Sequence, residues 1–377
     1  MDHAHVAASQ ADGADQAADR QDTTWDLPLR LFHWSMAGCV VVALVTGFLA
    51  PPWWLDVHVY AGYGLCLLLG FRLVWGLVGS RASRFDNFPL SVSDLRRFLT
   101  KLRTGAMPPP AGHNPVGAWM ILLLLALLTV RAASGLVVLG GQEKQGPLGG
   151  LIQFQSAQAV KQIHEIAAWA LCGAVGVHLA GVAAHDEVLF KHPVLRRMIA
   201  GHGGGGRGAT MFGGGIFAAL AVALTGAGVL LAAAGAPSPA LRFPPLYQSE
   251  CGACHAVYHP SLRLGATWKR LMDGLSDHYG EEVILGDEAA AAIAMFLESN
   301  GAEHFDTEIS WRIGRENTES MRMTDTPYWK RRHRDIPNVL FRWRTVGAKI
   351  NCDGCHGDAA TGEYADQRIG LPKGAPR

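Results

Sequence analysis

Charge is scarce in this chain. Only 17% of its 377 residues are Asp, Glu, Lys or Arg, and 33 basic residues against 32 acidic ones leave a formal net charge of +1. Without a basic surplus, nucleic acid is not expected as a partner. Residues 1–22 (MDHAHVAASQADGADQAADRQD) lack an apolar segment. They read as an acidic, disordered tail rather than a secretory signal, with His3 and His5 as solvated tail residues. No nucleotide-binding glycine pattern, Ser-His-Asp arrangement or zinc-ligand spacing occurs, and the GHGGGGRG run at 201–208 follows no strand, so it reads as a flexible linker.

What fills the chain instead is apolar. Hydrophobic residues make up 49% of it, too many for an ordinary soluble protein, and its length allows two domains. Five spans long enough to cross a bilayer are expected at 31–50, 58–78, 116–139, 162–184 and 213–234. Arg81, Arg84, Arg96, Arg97, Lys101 and Arg103 lie between the second and third spans, and Lys191, Arg196, Arg197 and Arg207 between the fourth and fifth. The loop at 51–57 has no Lys or Arg, and the loop at 140–161 has only Lys144 and Lys161. The positive-inside rule then puts the N-terminus and both basic loops in the cytoplasm and everything after residue 235 outside. The fifth span has basic residues before it and small residues at its end, so it reads like a secretory signal joined to a membrane protein. Cleavage near Ala234 or Ala236 competes with retention as a tether; the chain running unbroken to residue 377 favours the tether.

The fourth span (QIHEIAAWALCGAVGVHLAGVAA) carries His164 and His178. The step between them advances ~21 Å along a helix and returns within ~40° of the same face. A bare imidazole in hydrocarbon is costly, so two on one face call for partners, and haem iron is the expected one. His58 at the outer start of the second span matches His164 in depth, and His33 at the cytoplasmic start of the first matches His178. Each pair could hold one b-type haem within a four-helix bundle. Arg72 and Arg131 lie within the second and third spans. Haem propionates would satisfy both; Arg72, near a helix end, could also snorkel, and Arg131 could meet a quinone head group. Glu165 is a weaker candidate, as a proton acceptor in quinol oxidation.

Seven cysteines divide into two groups. Cys39, Cys66 and Cys172 lie in apolar runs and read as small hydrophobes. Cys251-Gly-Ala-Cys254-His255 and Cys352-Asp-Gly-Cys355-His356 are CxxCH motifs, each expected to attach one haem c with its histidine as proximal ligand. Such attachment takes place outside the bacterial cytoplasmic membrane, where the topology independently puts residues 237–377. Helices are expected there at 264–275 and 287–299, with long loops elsewhere. His259, His278, His304, His333, Met272, Met295, Met321 and Met323 are all candidates for the sixth ligands.

The segments WDLPLRLFHW, HVYAGYGLCLLLGFRLVWGLVGS and HEIAAWALCGAVGVHLAGVAAH resemble the bacterial cytochrome b561 family, which includes the cytochrome b subunits of nickel-iron hydrogenases. That likeness covers roughly 24–204 and implies a four-helix bundle with two bis-histidine haems b. CGACHAVYHPSLRLGATWKRLMDGLSDHYGEE and INCDGCHGDAATGEYADQRI resemble the diheme cytochrome c family over most of 245–372. By that resemblance His278, in His278-Tyr279-Gly280, and His333, ahead of the second motif, would be the distal ligands. Nearness in sequence gives His278 to the first haem and His333 to the second. His259 is expected on the surface, and the basic run Lys330, Arg331, Arg332, Arg334 is expected to neutralise propionates, dock an acidic partner or face solvent.

The expectation is therefore an all-α protein of the bacterial inner membrane. Its parts are a tail at 1–23, a four-helix haem bundle at 24–204, a fifth helix and linker at 205–236, and a periplasmic, loop-rich diheme cytochrome c domain at 237–377. It would carry two haems b, two haems c and a quinone. Electrons would pass from membrane quinol through the b haems and c haems to a soluble periplasmic cytochrome or small haem protein, as in a quinol:cytochrome c oxidoreductase. Two alternatives stand beside this: an oxidoreductase acting on superoxide or another small oxidant, with quinone as its second substrate, and a membrane anchor accepting electrons from a larger redox enzyme.

Overall fold

The computed structural model describes residues 25–81, 83–104, 114–184, 195, 198–199, 207–234, 241–316, 321–372 and 374. The expected tail at 1–23, most of the glycine-rich run and Ala236 lie outside the described residues. Among those described, regular structure is helical, with two isolated bridges and no strand.

Helix α1 (Leu27–Phe48) starts where Asp26 Oδ1 accepts the Leu29 N–H at 2.8 Å, with proline in the first turn, where the missing N–H costs nothing. Helices α2 (Leu55–Val78), α4 (Pro115–Gln142), α5 (Phe154–Ala184) and α6 (Arg207–Ala234) follow the expected spans; α5 begins eight residues earlier than the apolar run suggested. All five are long and apolar enough to cross a membrane, with mean hydropathy of 1.7 to 2.4. They also expose large apolar side chains such as Leu31, Val41, Leu77, Ile166 and Val222. Helices that are apolar all round are stable with such faces open only if hydrocarbon covers them. This is a membrane protein.

A helix not foreseen from the sequence, α3 (Val92–Thr104), occupies the first basic loop. Its Leu95, Phe98, Leu99 and Leu102 share one stripe, and its Arg96, Arg97, Lys101 and Arg103 lie off it. In the sequence the charge of this loop outweighs its periodicity, because four apolar residues are all that mark the helical stripe.

The chain forms two compact units, the first from 1–50, 57–135 and 161–229, the second from 51–56, 136–160 and 230–377. In the first unit, Phe32, Met36 and Val40 of α1, Leu65, Leu68 and Trp75 of α2, Leu128 of α4 and Leu171 of α5 share one core. Phe217 of α6 meets Phe71 edge-on at 6.2 Å. Asp26, 4% exposed, also accepts from Trp75 Nε1 at 3.2 Å, Ser83 Oγ at 3.0 Å and Ser80 Oγ, tying the start of α1 to the end of α2.

In the second unit, helices α7 (Pro245–Cys251), α8 (Gly265–Asp273), α9 (Asp287–Ser299), α10 (Pro327–His333) and α11 (Asn338–Phe341) are joined by loops and single turns, and α8 and α9 stand at the two stretches expected to be helical. Its apolar clusters are small: Tyr247, Trp268, Leu271, Ile293 and Leu297 in one, Leu262, Ile309 and Ile313 in the other. The turn between α4 and α5 belongs to this unit. Lys144 Nζ pairs with Asp306 at 2.7 Å, and the same carboxylate accepts the Phe154 N–H at 3.0 Å and Trp311 Nε1 at 3.1 Å. A distant loop thus supplies the N-terminal cap of α5.

Candidate functional site

The eight histidines expected to bind iron come together as four pairs. His33 on α1 and His178 on α5 have ring centres 6.5 Å apart; His58 on α2 and His164 on α5, 6.3 Å. In the second unit, His255 and His278 are 6.4 Å apart, and His333 and His356 6.2 Å. Two imidazoles sharing an iron at about 2.0 Å from each nitrogen have ring centres roughly 6.3 Å apart. All four spacings fit that value. Among the described residues, no three or more His, Cys, Asp or Glu converge as a bare metal ion would need.

The protonation of the rings also fits. A neutral imidazole ligates through one nitrogen and keeps its proton on the other. His255 Nδ1 lies 2.7 Å from the Ala256 carbonyl, and His333 Nδ1 2.9 Å from the Trp329 carbonyl. A carbonyl only accepts, so both protons sit on Nδ1 and both Nε2 atoms keep their lone pairs. His58 Nδ1 faces Thr46 Oγ1 at 3.0 Å and His164 Nδ1 faces Ser134 Oγ at 2.9 Å. Burial, with His333 and Arg332 close by, pushes His356 down to about 4, and burial followed by the charge of His255 lowers His278. Both are then neutral, the ligating form, at ordinary pH. Stacking holds the rings in the second unit: Tyr258 on His255 at 4.8 Å and Trp329 on His333 at 4.3 Å. Cys251, Cys254, Cys352 and Cys355 keep their sulfurs out of any disulfide.

The two arginines differ. Arg131 NH1 donates to the His164 carbonyl at 2.7 Å, which puts this cation beside the His58–His164 pair. Arg72 is buried, donates to the Ser83 carbonyl at 3.0 Å and lies over the Phe85 ring at 4.3 Å. Glu165 is exposed.

One expectation is overturned. His259 is not a surface residue: it is 1% exposed, its Nδ1 accepts the Ser261 N–H at 3.2 Å, and its ring packs edge-on against Phe305. Gly362, at φ 74°, is required beside it, because a Cβ there would lie 2.3 Å from His259 Nδ1. Its closeness to the first CxxCH motif hid the fact that loops far along the chain fold over it. Of the other sixth-ligand candidates, Met272, Met321 and Met323 pack against the Tyr247–Trp268 cluster and Met295 is exposed. In the basic run, Arg332 pairs with Asp366 and Arg334 with Asp335. Thr46 and Ser134 were not singled out from the sequence, since hydroxyls inside apolar helices usually bond only to their own backbone.

Comparison with known proteins follows the same division. Residues 24–201 match the family model for prokaryotic cytochrome b561, and residues 247–364 that for dihaem cytochrome c. A "Probable Ni/Fe-hydrogenase B-type cytochrome subunit" of Rhodobacter capsulatus is 22% identical over 210 residues, covering 47% of this chain and 79% of the relative. Among solved structures, a diheme cytochrome type c from Shewanella baltica OS155 is 23% identical, with a TM-score of 0.28 over 35% of this chain and 96% of its own. A DHC purified from Rhodobacter sphaeroides is 30% identical, with a TM-score of 0.25 over 33% of this chain and 98% of its own. The chain therefore joins a region similar to prokaryotic cytochrome b561, residues 24–201, to a region similar to dihaem cytochrome c, residues 247–364, and it is a membrane haem electron-transfer protein.

Proposed function

We propose that the protein carries four haems and passes electrons from membrane quinol, through two haems b, to two haems c and then to a soluble periplasmic haem protein. The observation that carries this is the set of four histidine pairs, each with ring centres 6.2 to 6.5 Å apart. Bound haem supplies a one-electron Fe(III)/Fe(II) couple at each pair. His33 with His178 and His58 with His164 would hold the haems b. His255 with His278 and His333 with His356 would hold the haems c, whose vinyl-derived thioethers would use Cys251, Cys254, Cys352 and Cys355.

The side chains around the pairs do the rest. With two histidines at every site, each haem iron would be satisfied by the protein, which would favour electron transfer over binding of oxygen or peroxide. Arg131, with one N–H on the His164 carbonyl, has others to offer a propionate or a quinone oxygen. Loop charge supports a cytoplasmic N-terminus, with His58 and His164 toward the periplasm and residues 237–377 in it. The family's hydrogenase relative suggests an anchor for a larger enzyme, but a fused pair of c-type sites already provides an acceptor. The test is reduction of the purified full chain by a quinol analogue, with the b and c absorption bands followed in time. Reduction of b before c, with carbon monoxide leaving all four ferrous spectra unchanged, is the expected result. Carbon monoxide bound at a c haem would instead favour chemistry on a small oxidant.

A further inference from the structure

We propose that Thr46–Gly47 and Ser134–Gly135 are two matching seats that lock the Nδ1–H tautomer of His58 and His164 and direct their Nε2 atoms to the iron. This rests on the assignment of that pair to a haem b. A hydroxyl has one hydrogen to give. Thr46 Oγ1 lies 2.6 Å from the Val42 carbonyl and Ser134 Oγ 2.6 Å from the Val130 carbonyl, each four residues back on its own helix. With those hydrogens committed, each oxygen can only accept from the imidazole it faces, at 3.0 Å for His58 and 2.9 Å for His164. The carbonyls of Ala43 and Arg131 also lie within reach of these two rings, and they too can only accept. Both rings must therefore donate through Nδ1.

The glycine after each hydroxyl completes the seat. A Cβ on Gly47 would come 3.2 Å from His58 Cε1, and one on Gly135 would come 3.2 Å from His164 Cε1. Each ring edge thus lies directly on helix backbone, and a methyl group would push it away by a few tenths of an ångström. The same arrangement of hydroxyl, helix carbonyls and glycine occurs on α1 for one ring and on α4 for the other. Chance is a poor account of that repetition. His33 differs: its Nδ1 is buried without a hydrogen-bond partner among the described residues.

An imidazole whose N–H is held by an oxygen is a stronger electron donor to iron, and this favours the ferric state. Thr46→Val and Ser134→Ala in the full chain should keep the b haem content of the unaltered protein. Each should raise the midpoint potential of one b haem and change its ferric paramagnetic resonance signal, leaving the other b haem and the c haems unmoved. In the double variant the reduction equilibrium should move about tenfold, or about 59 mV for one electron. Thr46→Ser, which restores the acceptor, should return both readings. Unchanged potentials and signals in both single variants and the double, with full haem content, would overturn the proposal. If Thr46→Val cannot be purified with haem, Ser134→Ala and Thr46→Ser decide it alone. The underlying assignment fails separately: it is wrong if His58→Ala and His164→Ala each retain two haems b.

Discussion

A single imidazole in an apolar helix is ambiguous, and what resolves it is the ring that faces it. His33 and His178 lie on different helices, yet their ring centres are 6.5 Å apart. Substituting either by alanine should halve the haem b content measured as pyridine haemochrome and leave haem c intact. Full haem b in both variants would break that site. His259 makes the opposite point, because its chemistry is structural. Burial holds it down at about 4, below the ordinary histidine value of 6.5. The unfolded chain therefore binds the extra proton. The stability this histidine contributes is full above about pH 6.5 and is lost as pH falls toward 4, by up to ~1.4 kcal/mol per pH unit. Melting of the haem c absorption between those pH values should show the slope. His259→Asn, which keeps an acceptor for the Ser261 N–H, should flatten it.

At the scale of elements, helix ends carry most of the polar architecture. Asp26 caps α1 and also accepts from Trp75, Ser80 and Ser83. Asp26→Ala leaves several buried donors without acceptors, so it should cost ~2–4 kcal/mol and lower the melting temperature of the b bands in detergent. An unchanged melting temperature would mean that water replaces the carboxylate. Asp306 caps α5 from another part of the chain while pairing with Lys144. Against the upward push of burial, its hydrogen bonds from Lys144, Phe154 and Trp311 hold it below the usual carboxylate range. Asp306→Ala should cost about 1 kcal/mol, an amount set by the cap because the ion pair is partly exposed. Asp306→Asn should restore most of it in the same denaturation measurement. Neither role was visible in the sequence: a capping box is read within four residues, whereas Asp306 lies far along the chain from Phe154.

For the whole molecule, the order of the four sites along the chain and across the membrane is the functional question. If electrons leave the bundle through the His58–His164 haem, His164→Ala should stop reduction of the c haems by quinol, although both remain covalently attached. Stopped-flow spectra of that variant check this. Normal c reduction would show that electrons reach those haems by another path. The two CxxCH motifs and the five apolar spans were legible without coordinates, because covalent attachment and membrane crossing both depend on local sequence. That His33 faces His178 and His58 faces His164 was legible too, since each span's direction fixes the depth of its histidines.

Sequence alone thus determined the composition of the protein: five helices long and apolar enough to cross a membrane, two CxxCH motifs and a helical, loop-rich second unit. Tertiary structure decided what lies around each imidazole. That His259 is buried, that Asp306 caps α5, and that Thr46 and Ser134 each hold a ring by its Nδ1 all follow from contacts between residues far apart in the chain. Such contacts leave no periodicity or spacing to read. Local patterns can reveal an element or a ligand, but the tautomer of a histidine is set by whichever oxygen the fold brings to its other nitrogen.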